Sequence, residues 1–206
     1  SNMLEDCIYV HDDIRFLLPP AVSHPSPTAG APTIGNVVCS VGLIPHSIPC
    51  EFTYLPYVLG RINMAPVNVD GRNVDILSDP FSGCIMSLVR EHEGGRLFVA
   101  HVSTGGATDC QSLWRNLTRP GDGRFKTLVE FNPADVFHDQ SVKKLLDRID
   151  FLILRTGVTG LITSNQRCFS ILISREKPGD NKLSVWGVYE YETYKGSWRR
   201  IGRPPE

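Results

Sequence analysis

Short apolar segments separated by clusters of glycine and proline run from Ile34 onward, and they constrain the fold more than any other feature. The chain has 206 residues, among them 18 glycines and 15 prolines. Runs of β-branched and aromatic residues bounded by such turn residues are typical of strands. The sequence predicts strands over 35–43, 51–59, 66–70, 84–90, 97–102, 126–131, 151–156, 168–174 and 184–193.

Two segments carry helical spacing instead. Val142, Leu145, Leu146 and Ile149 recur on one side of a helix, which predicts a helix from Ser141 to about Ile149. A second helix is expected over 109–117, where the apolar residues also share a face. Many strands with few helices indicate an α+β fold, with a β-sandwich-like core of mostly antiparallel strands and a few flanking helices.

The N-terminal part differs from the rest in composition. Residues 19–32 are rich in proline, serine, alanine and glycine, which is typical of an extended linker or mobile arm. We therefore expect an N-terminal segment over 1–33 and a single domain over 34–206. The first residues lack the basic region and apolar core of a secretory leader.

Charge and composition exclude several classes of function. The formal net charge is −1, so there is no bulk electrostatic attraction to nucleic acid. No apolar run approaches the roughly 20 residues that a membrane-spanning helix needs. The six cysteines show no CxxC spacing and the six histidines are scattered, so we expect no metal site. No segment has the glycine-lysine pattern of a phosphate-binding loop, and no cofactor is expected.

One predicted hairpin brings chemically reactive residues together. Two apolar segments, 84–90 and 97–101, flank the polar, glycine-containing break 91–96. With the turn centred near 92–94, residue 84 falls opposite residue 101 or one of its near neighbours. Opposed Cβ atoms lie roughly 4.5–5.5 Å apart. The hairpin alone can therefore place the Cys84 thiol beside the His101 imidazole.

A thiol beside an imidazole suits acyl chemistry. Cys84 is the candidate nucleophile and His101 the candidate base. Ser78 or Asp79 can hold the imidazole in the tautomer that accepts the thiol proton. Gly83 permits a tight or left-handed turn and a close approach of substrate, so the amides of Gly83 and Cys84 can face a developing oxyanion. The alternative is that Cys84 is a buried hydrophobic residue of the core and His101 a polar residue at a strand end.

The segment from Ser78 to Gly105 resembles the active-site signature of bacterial cysteine deamidases. Phe81-Ser82-Gly83-Cys84, followed by His101, is similar to the Leu-Ser-Gly-Cys motif of the cytotoxic necrotizing factors, dermonecrotic toxin and the Burkholderia lethal factor. The chemoreceptor glutamine deamidases share that cysteine–histidine pair. Ser78 stands where some of these families place a threonine that bonds the histidine, and Phe81 stands where leucine is usual. Val102-Ser103-Thr104-Gly105 is loosely similar to the His-Thr-Gly of the necrotizing factors.

The resemblance implies a protein glutamine deamidase that needs no metal or cofactor. It implies Cys84 as nucleophile, His101 as base and Ser78 as the group that orients His101. The target would be a host protein such as a Rho-family GTPase or a translation factor, or else a chemoreceptor; the chain length and the proline-rich arm favour the host target. The implied location is synthesis in a bacterial cytoplasm, with delivery into a host or neighbouring cell. Transglutamination is an expected side reaction.

Two alternatives remain open at the level of sequence. The first is another cysteine hydrolase, an acyltransferase or a papain-like protease. That plan puts the cysteine at a helix N-terminus, whereas the segment after Cys84 is strand-like. The second is a non-enzymatic β-rich binding or immunity-type module in which Cys84 belongs to the core.

Overall fold

The chain forms two large β-sheets and a small hairpin, accompanied by short helices. The computed structural model describes residues 13–17, 33–41, 44–147, 156–175 and 182–201, and within these the side chains of 52–144, 157–173 and 187–201. The strands are β1 (Asp13–Leu17), β2 (Thr33–Val41), β3 (Ile44–Pro56), β4 (Ile62–Pro66), β5 (Asn68–Val69), β6 (Arg72–Asn73), β7 (Asp75–Asp79), β8 (Ile85–Glu91), β9 (Leu97–Val102), β10 (Phe125–Phe131), β11 (Thr156–Ile162), β12 (Cys168–Arg175), β13 (Lys182–Glu192) and β14 (Ser197–Ile201). The helices are α1 (Cys110–Leu117), a 3-10 helix (Pro133–His138) and α2 (Gln140–Asp147).

The larger sheet contains eight strands in the order β1-β2-β3-β7-β11-β12-β13-β14. Its pairings are antiparallel except for the parallel pair β3–β7. β1 also pairs with β13, so the strand pairings from β1 to β13 form a closed ring. Residues 13–17 therefore share a sheet with strands of the 34–206 region, while residues 19–32, where we expect the arm, lie outside the described residues.

The smaller sheet has the order β10-β8-β9-β4 and carries a different layer on each face. One face packs against the larger sheet, because Ala65, Met86 and Val99 share a core cluster with Leu55 and other residues of that sheet. The opposite face packs against α1, because Ala100 and Val102 cluster with Trp114 of that helix. Each side chain on a strand of the smaller sheet therefore points either into the space between the two sheets or toward α1.

This architecture confirms the predicted α+β fold with its mostly antiparallel, β-rich core. The helix predicted over 109–117 is present as α1, where the Asp109 carboxylate caps the helix by accepting from the Ser112 amide at 3.0 Å. The helix predicted from Ser141 is present as α2, and residues 148–149 of that prediction lie outside the described residues. Within the described ranges no helix is long and apolar enough to cross a membrane.

Candidate active site

The predicted hairpin is present as β8 and β9. The residue directly opposite His101 is Met86, and Ile85 lies opposite Val102. Cys84 immediately precedes β8, so it lies diagonally from His101 rather than directly opposite it. Diagonal neighbours in an antiparallel pair are roughly 7–8 Å apart at Cα and share one face of the sheet. That face is the one buried between the two sheets, because Cys84 and Met86 belong to the core cluster there.

Ser78 reaches the imidazole from the larger sheet. It lies in β7, is fully buried, and its Oγ is 2.7 Å from His101 Nδ1. The Ser78 hydroxyl also lies 2.5 Å from the carbonyl oxygen of Leu55 in the neighbouring strand β3. The sandwich therefore brings together two residues that the sequence places 23 positions apart.

These two contacts determine which imidazole nitrogen carries the proton. A serine hydroxyl has one proton to donate, and the Leu55 carbonyl oxygen can only accept it. Ser78 Oγ must then accept the proton of His101 Nδ1. His101 Nε2 is left with a free lone pair, which is the form that a base for the Cys84 thiol requires.

Two aromatic rings hold the imidazole plane. Phe81 stacks face to face on His101, with ring centroids 4.1 Å apart and planes 9° from parallel. Tyr57 approaches as well, with its centroid 5.3 Å from that of the imidazole and its ring tilted by 47°. Phe81, which stands where leucine is usual in the resembled motif, thus fixes the base by stacking.

Burial keeps His101 neutral at ordinary pH. Its side chain is only 1% exposed, and loss of solvation lowers the pKa of His101 from 6.5 to about 4. His101 is therefore an unprotonated base throughout the physiological range.

Cys84 is also buried, with 5% exposure, but its neighbour Thr104 is exposed. Its Sγ lies 3.8 Å from Thr104 Oγ1. Nε2 of His101 has no hydrogen-bond partner among the described residues, so thiol and imidazole are not bonded to each other in this structure. Catalytic hydrogen bonds are often long before substrate binds, so this separation is compatible with a nucleophile–base pair.

Gly83 is important because it lacks a side chain and not because of its backbone conformation. Of the tight or left-handed turn that glycine permits, the left-handed form is not adopted, because Gly83 is not among the described residues with positive φ. A Cβ at this position would instead lie 3.3 Å from Thr104 Oγ1. Glycine therefore keeps the approach to Cys84 open beside Thr104.

Asp79, the other candidate for orienting His101, has a different partner. Its carboxylate accepts a hydrogen bond from the Tyr54 hydroxyl. Of the two neighbours that the sequence offers, the structure places Ser78 on the imidazole.

The other described cysteines differ from Cys84 in their surroundings. Burial raises the pKa of the Cys168 thiol to about 12, with the Glu190 carboxylate adding to the shift. Burial also raises the pKa of Cys110, which is 2% exposed at the start of α1. Both thiols stay protonated near neutral pH, which makes them internal references for the reactivity of Cys84.

Sequence reasoning missed Asn63, which lies beside His101 in the smaller sheet. The two residues are direct partners in the β4–β9 register. Asn63 is 2% exposed, and its Nδ2 donates to the Pro56 carbonyl oxygen at 2.8 Å. Its Oδ1 is buried with no partner among the described residues. In the sequence, Asn63 is recognisable only as a polar residue in an apolar segment, and no strand is predicted over 62–66.

The chain shows no match in three comparisons with known proteins. Neither protein-family models, nor curated proteins, nor solved structures include one that matches it. Any functional assignment therefore depends on the motif and on the geometry around Cys84 and His101.

Two further features of the described residues do not supply a rival centre. A cleft of about 610 Å³ lies on the α1 side of the smaller sheet, lined by Leu59, Arg61, Ile62, Cys110 and Leu113 among others. His101 points to the opposite face of that sheet. The part of the chain that the structure describes contains no cluster of three or more histidine, cysteine or acidic residues that could hold a metal ion.

Proposed function

We propose that this protein is a cysteine-dependent amidohydrolase that converts a glutamine side chain of a target protein to glutamate. The observation that carries the proposal is the contact between Ser78 and His101. It leaves Nε2 as a buried proton acceptor on the sheet face that Cys84 shares. Orientation of a base by a third group is the general arrangement of activated nucleophiles.

The proposed reaction proceeds in two halves. Nε2 of His101 takes the thiol proton of Cys84, and the thiolate attacks the carboxamide carbon. The imidazolium then gives that proton to the nitrogen, the C–N bond breaks and ammonia leaves a thioester on Cys84. In the second half Nε2 deprotonates a water molecule and hydroxide attacks the thioester. The C–S bond then breaks to give glutamate and the Cys84 thiolate, which takes the proton back from the imidazolium.

Charge on the tetrahedral intermediate needs nearby donors. The amides of Gly83 and Cys84 are our candidates, because they adjoin the nucleophile at an exposed bend. The Thr104 hydroxyl, 3.8 Å from Sγ, is a further donor at the same place.

The target class follows the resemblance. We favour a host protein, such as a Rho-family GTPase or a translation factor, over a chemoreceptor. Production in a bacterial cytoplasm and delivery into another cell belong to the same proposal.

A second candidate function rests on the burial of Cys84. A cysteine that is 5% exposed within a core cluster also fits a non-enzymatic binding or immunity-type module. The papain-like alternative fits less well, because Cys84 precedes a strand rather than a helix.

Ammonia release with intact-mass analysis tests the proposal. Host-lysate fractions are exposed to the wild type, to Cys84→Ser and to Cys168→Ser, the last being a matched change of a core thiol. We expect a shift of about +1 Da on a target peptide with the wild type and with Cys168→Ser, and none with Cys84→Ser. Absence of release, together with a Cys84 thiol that iodoacetamide labels no faster than Cys110 and Cys168, would favour the binding module.

A further inference from the structure

Two buried polar atoms at the candidate site have no hydrogen-bond partner among the described residues, and their side chains lie on the same face of neighbouring strands. They are Nε2 of His101 and Oδ1 of Asn63, and their residues are direct partners across β4 and β9. Directly opposed residues of an antiparallel pair share a face, with Cβ atoms roughly 4.5–5.5 Å apart. A buried polar group without a partner is costly, so it requires an explanation, and at a candidate active site a bound substrate is one that supplies the missing bond.

Both atoms are fixed as acceptors. The bond from His101 Nδ1–H to Ser78 leaves Nε2 with a lone pair. The Asn63 amide is oriented by its own contact, since only Nδ2 can donate to the Pro56 carbonyl oxygen at 2.8 Å. The Pro56 carbonyl at the end of β3 thus anchors Asn63 directly, and the preceding Leu55 carbonyl anchors His101 through the Ser78 hydroxyl.

A ligand that satisfies two adjacent acceptors must offer two donors on one small group. The NH₂ of a primary carboxamide does so, whereas an ester or a carboxylate oxygen does not. Once Nε2 has taken the thiol proton it no longer accepts, so one substrate N–H stays bonded to Asn63 Oδ1 while the nitrogen lone pair faces the proton on Nε2. This arrangement directs the proton of the imidazolium to the leaving nitrogen.

We propose that Asn63 Oδ1 accepts an N–H of the substrate carboxamide and so selects primary amides over esters. This inference rests on the proposed function, because it concerns the group that the Cys84 thiolate attacks. It adds a residue that contacts the substrate and that neither the motif nor the resemblance indicates.

Alkylation of Cys84 by two matched small reagents tests the assignment without knowledge of the target. Iodoacetamide carries a primary carboxamide one bond beyond the carbon that sulfur attacks, and methyl iodoacetate carries an ester at the same place. The rate ratio of the two reagents at Cys84 is divided by their ratio for glutathione. In the wild type we expect a ratio in favour of the amide.

Two substitutions separate substrate contact from a structural role. Asn63→Ala removes the acceptor, and Asn63→Asp keeps an oxygen acceptor while replacing the amide that donates to Pro56. We expect Asn63→Ala to lower the amide preference about tenfold, the loss of one hydrogen bond to a buried group. We expect Asn63→Asp to retain most of the preference, and we expect thermal unfolding to show that both variants are less stable than the wild type.

The outcomes distinguish this inference from the proposed function. An equal ratio in the wild type and Asn63→Ala, with Cys84 still reactive, would overturn the role of Asn63 alone. Equal loss of preference in both variants would reduce Asn63 to a structural anchor and would also overturn it. A wild-type Cys84 that reacts with neither reagent would overturn the nucleophile, and the assignment of Asn63 with it.

Discussion

The imidazole of His101 and the ring of Phe81 lie face to face, with centroids 4.1 Å apart and planes 9° from parallel. Phe81 comes from the bend before Cys84, and His101 comes from the strand that pairs with the one after it. The bend that positions the Cys84 thiol therefore also places the Phe81 ring against the His101 imidazole. Together with the bond to Ser78, this stacking leaves the imidazole little freedom to rotate.

Phe81→Leu should weaken the base more than it weakens the fold. Leucine is the residue of the resembled motif and keeps an apolar side chain, but it offers no flat face to the imidazole. We expect Cys84 alkylation by iodoacetamide to slow by about three- to tenfold, the energy of one aromatic stacking contact. Phe131→Leu is the matched control, because Phe131 is similarly buried in the same core and contacts Tyr191 instead. Equal slowing in both variants would show that the effect is general loosening of the core.

Ser78→Ala should release the tautomer of His101. Without the hydroxyl, Nδ1 loses its acceptor and the proton can occupy Nε2, where it blocks the base. We expect Cys84 alkylation to slow by about tenfold or more, since a buried nitrogen also loses its partner. Ser78→Thr keeps the hydroxyl and should keep most of the rate. Ser87→Ala removes another buried hydroxyl, one bonded to the Val129 carbonyl oxygen at 3.0 Å, and should leave the rate unchanged.

The hairpin could be predicted because its information is local. Apolar segments, a polar break and glycines specify β8 and β9 without reference to the rest of the chain. The residue opposite position 84 was harder to predict. The turn centre lies between Glu93 and Gly94, and moving that centre by one residue changes the opposite residue by two. A shift by two keeps the face, so the shared face of Cys84 and His101 followed from the sequence although the direct opposition did not.

Strands β4 and β7, which complete the site, could not be predicted in the same way. β7 is buried at all five positions, so it lacks the alternation that marks a half-exposed strand. β4 is a short edge strand of its sheet, with its alternate faces turned to two different cores. The contacts of Ser78 with Leu55 and of Asn63 with His101 join distant parts of the chain, and no local pattern encodes them.

Gly160→Ala should disturb both the core and the base. A Cβ at Gly160 would lie 2.5 Å from Met86 Sδ and 2.9 Å from both Phe81 Cε2 and Pro133 Cγ, so it is crowded on three sides. Overpacking of this kind costs about 1–3 kcal/mol in the free energy of unfolding. Because Phe81 must move, we also expect slower alkylation of Cys84.

Gly157→Ala, in the same strand, is the control for that substitution. Its Cβ would meet Ile173 at 3.6 Å, which is an ordinary contact. The free energy of unfolding should stay within about 0.5 kcal/mol or rise, because alanine restricts the unfolded chain. Chemical denaturation of the two variants measures the difference. Similar destabilisation by both would mean that a Cβ is unfavourable at either glycine of β11 and that the close contacts at Gly160 are not the cause.

Burial of neutral His101 should make the protein lose stability as the pH falls from about 6.5 to about 4. In this window the unfolded chain binds a proton at His101 and the folded protein does not, because burial lowers the pKa of His101 from 6.5 to about 4. The loss in free energy of unfolding due to His101 amounts to at most about 3 kcal/mol and is reached near pH 4. Between pH 7 and pH 5 the free energy of unfolding of His101→Gln should therefore change less than that of the wild type. His92→Gln, which removes a histidine that lies exposed in the hairpin turn, is the matched control. Parallel wild-type and His101→Gln curves over this range would mean that His101 binds its proton equally in the folded and unfolded chain, and would contradict the conclusion that burial keeps Nε2 unprotonated below pH 6.5.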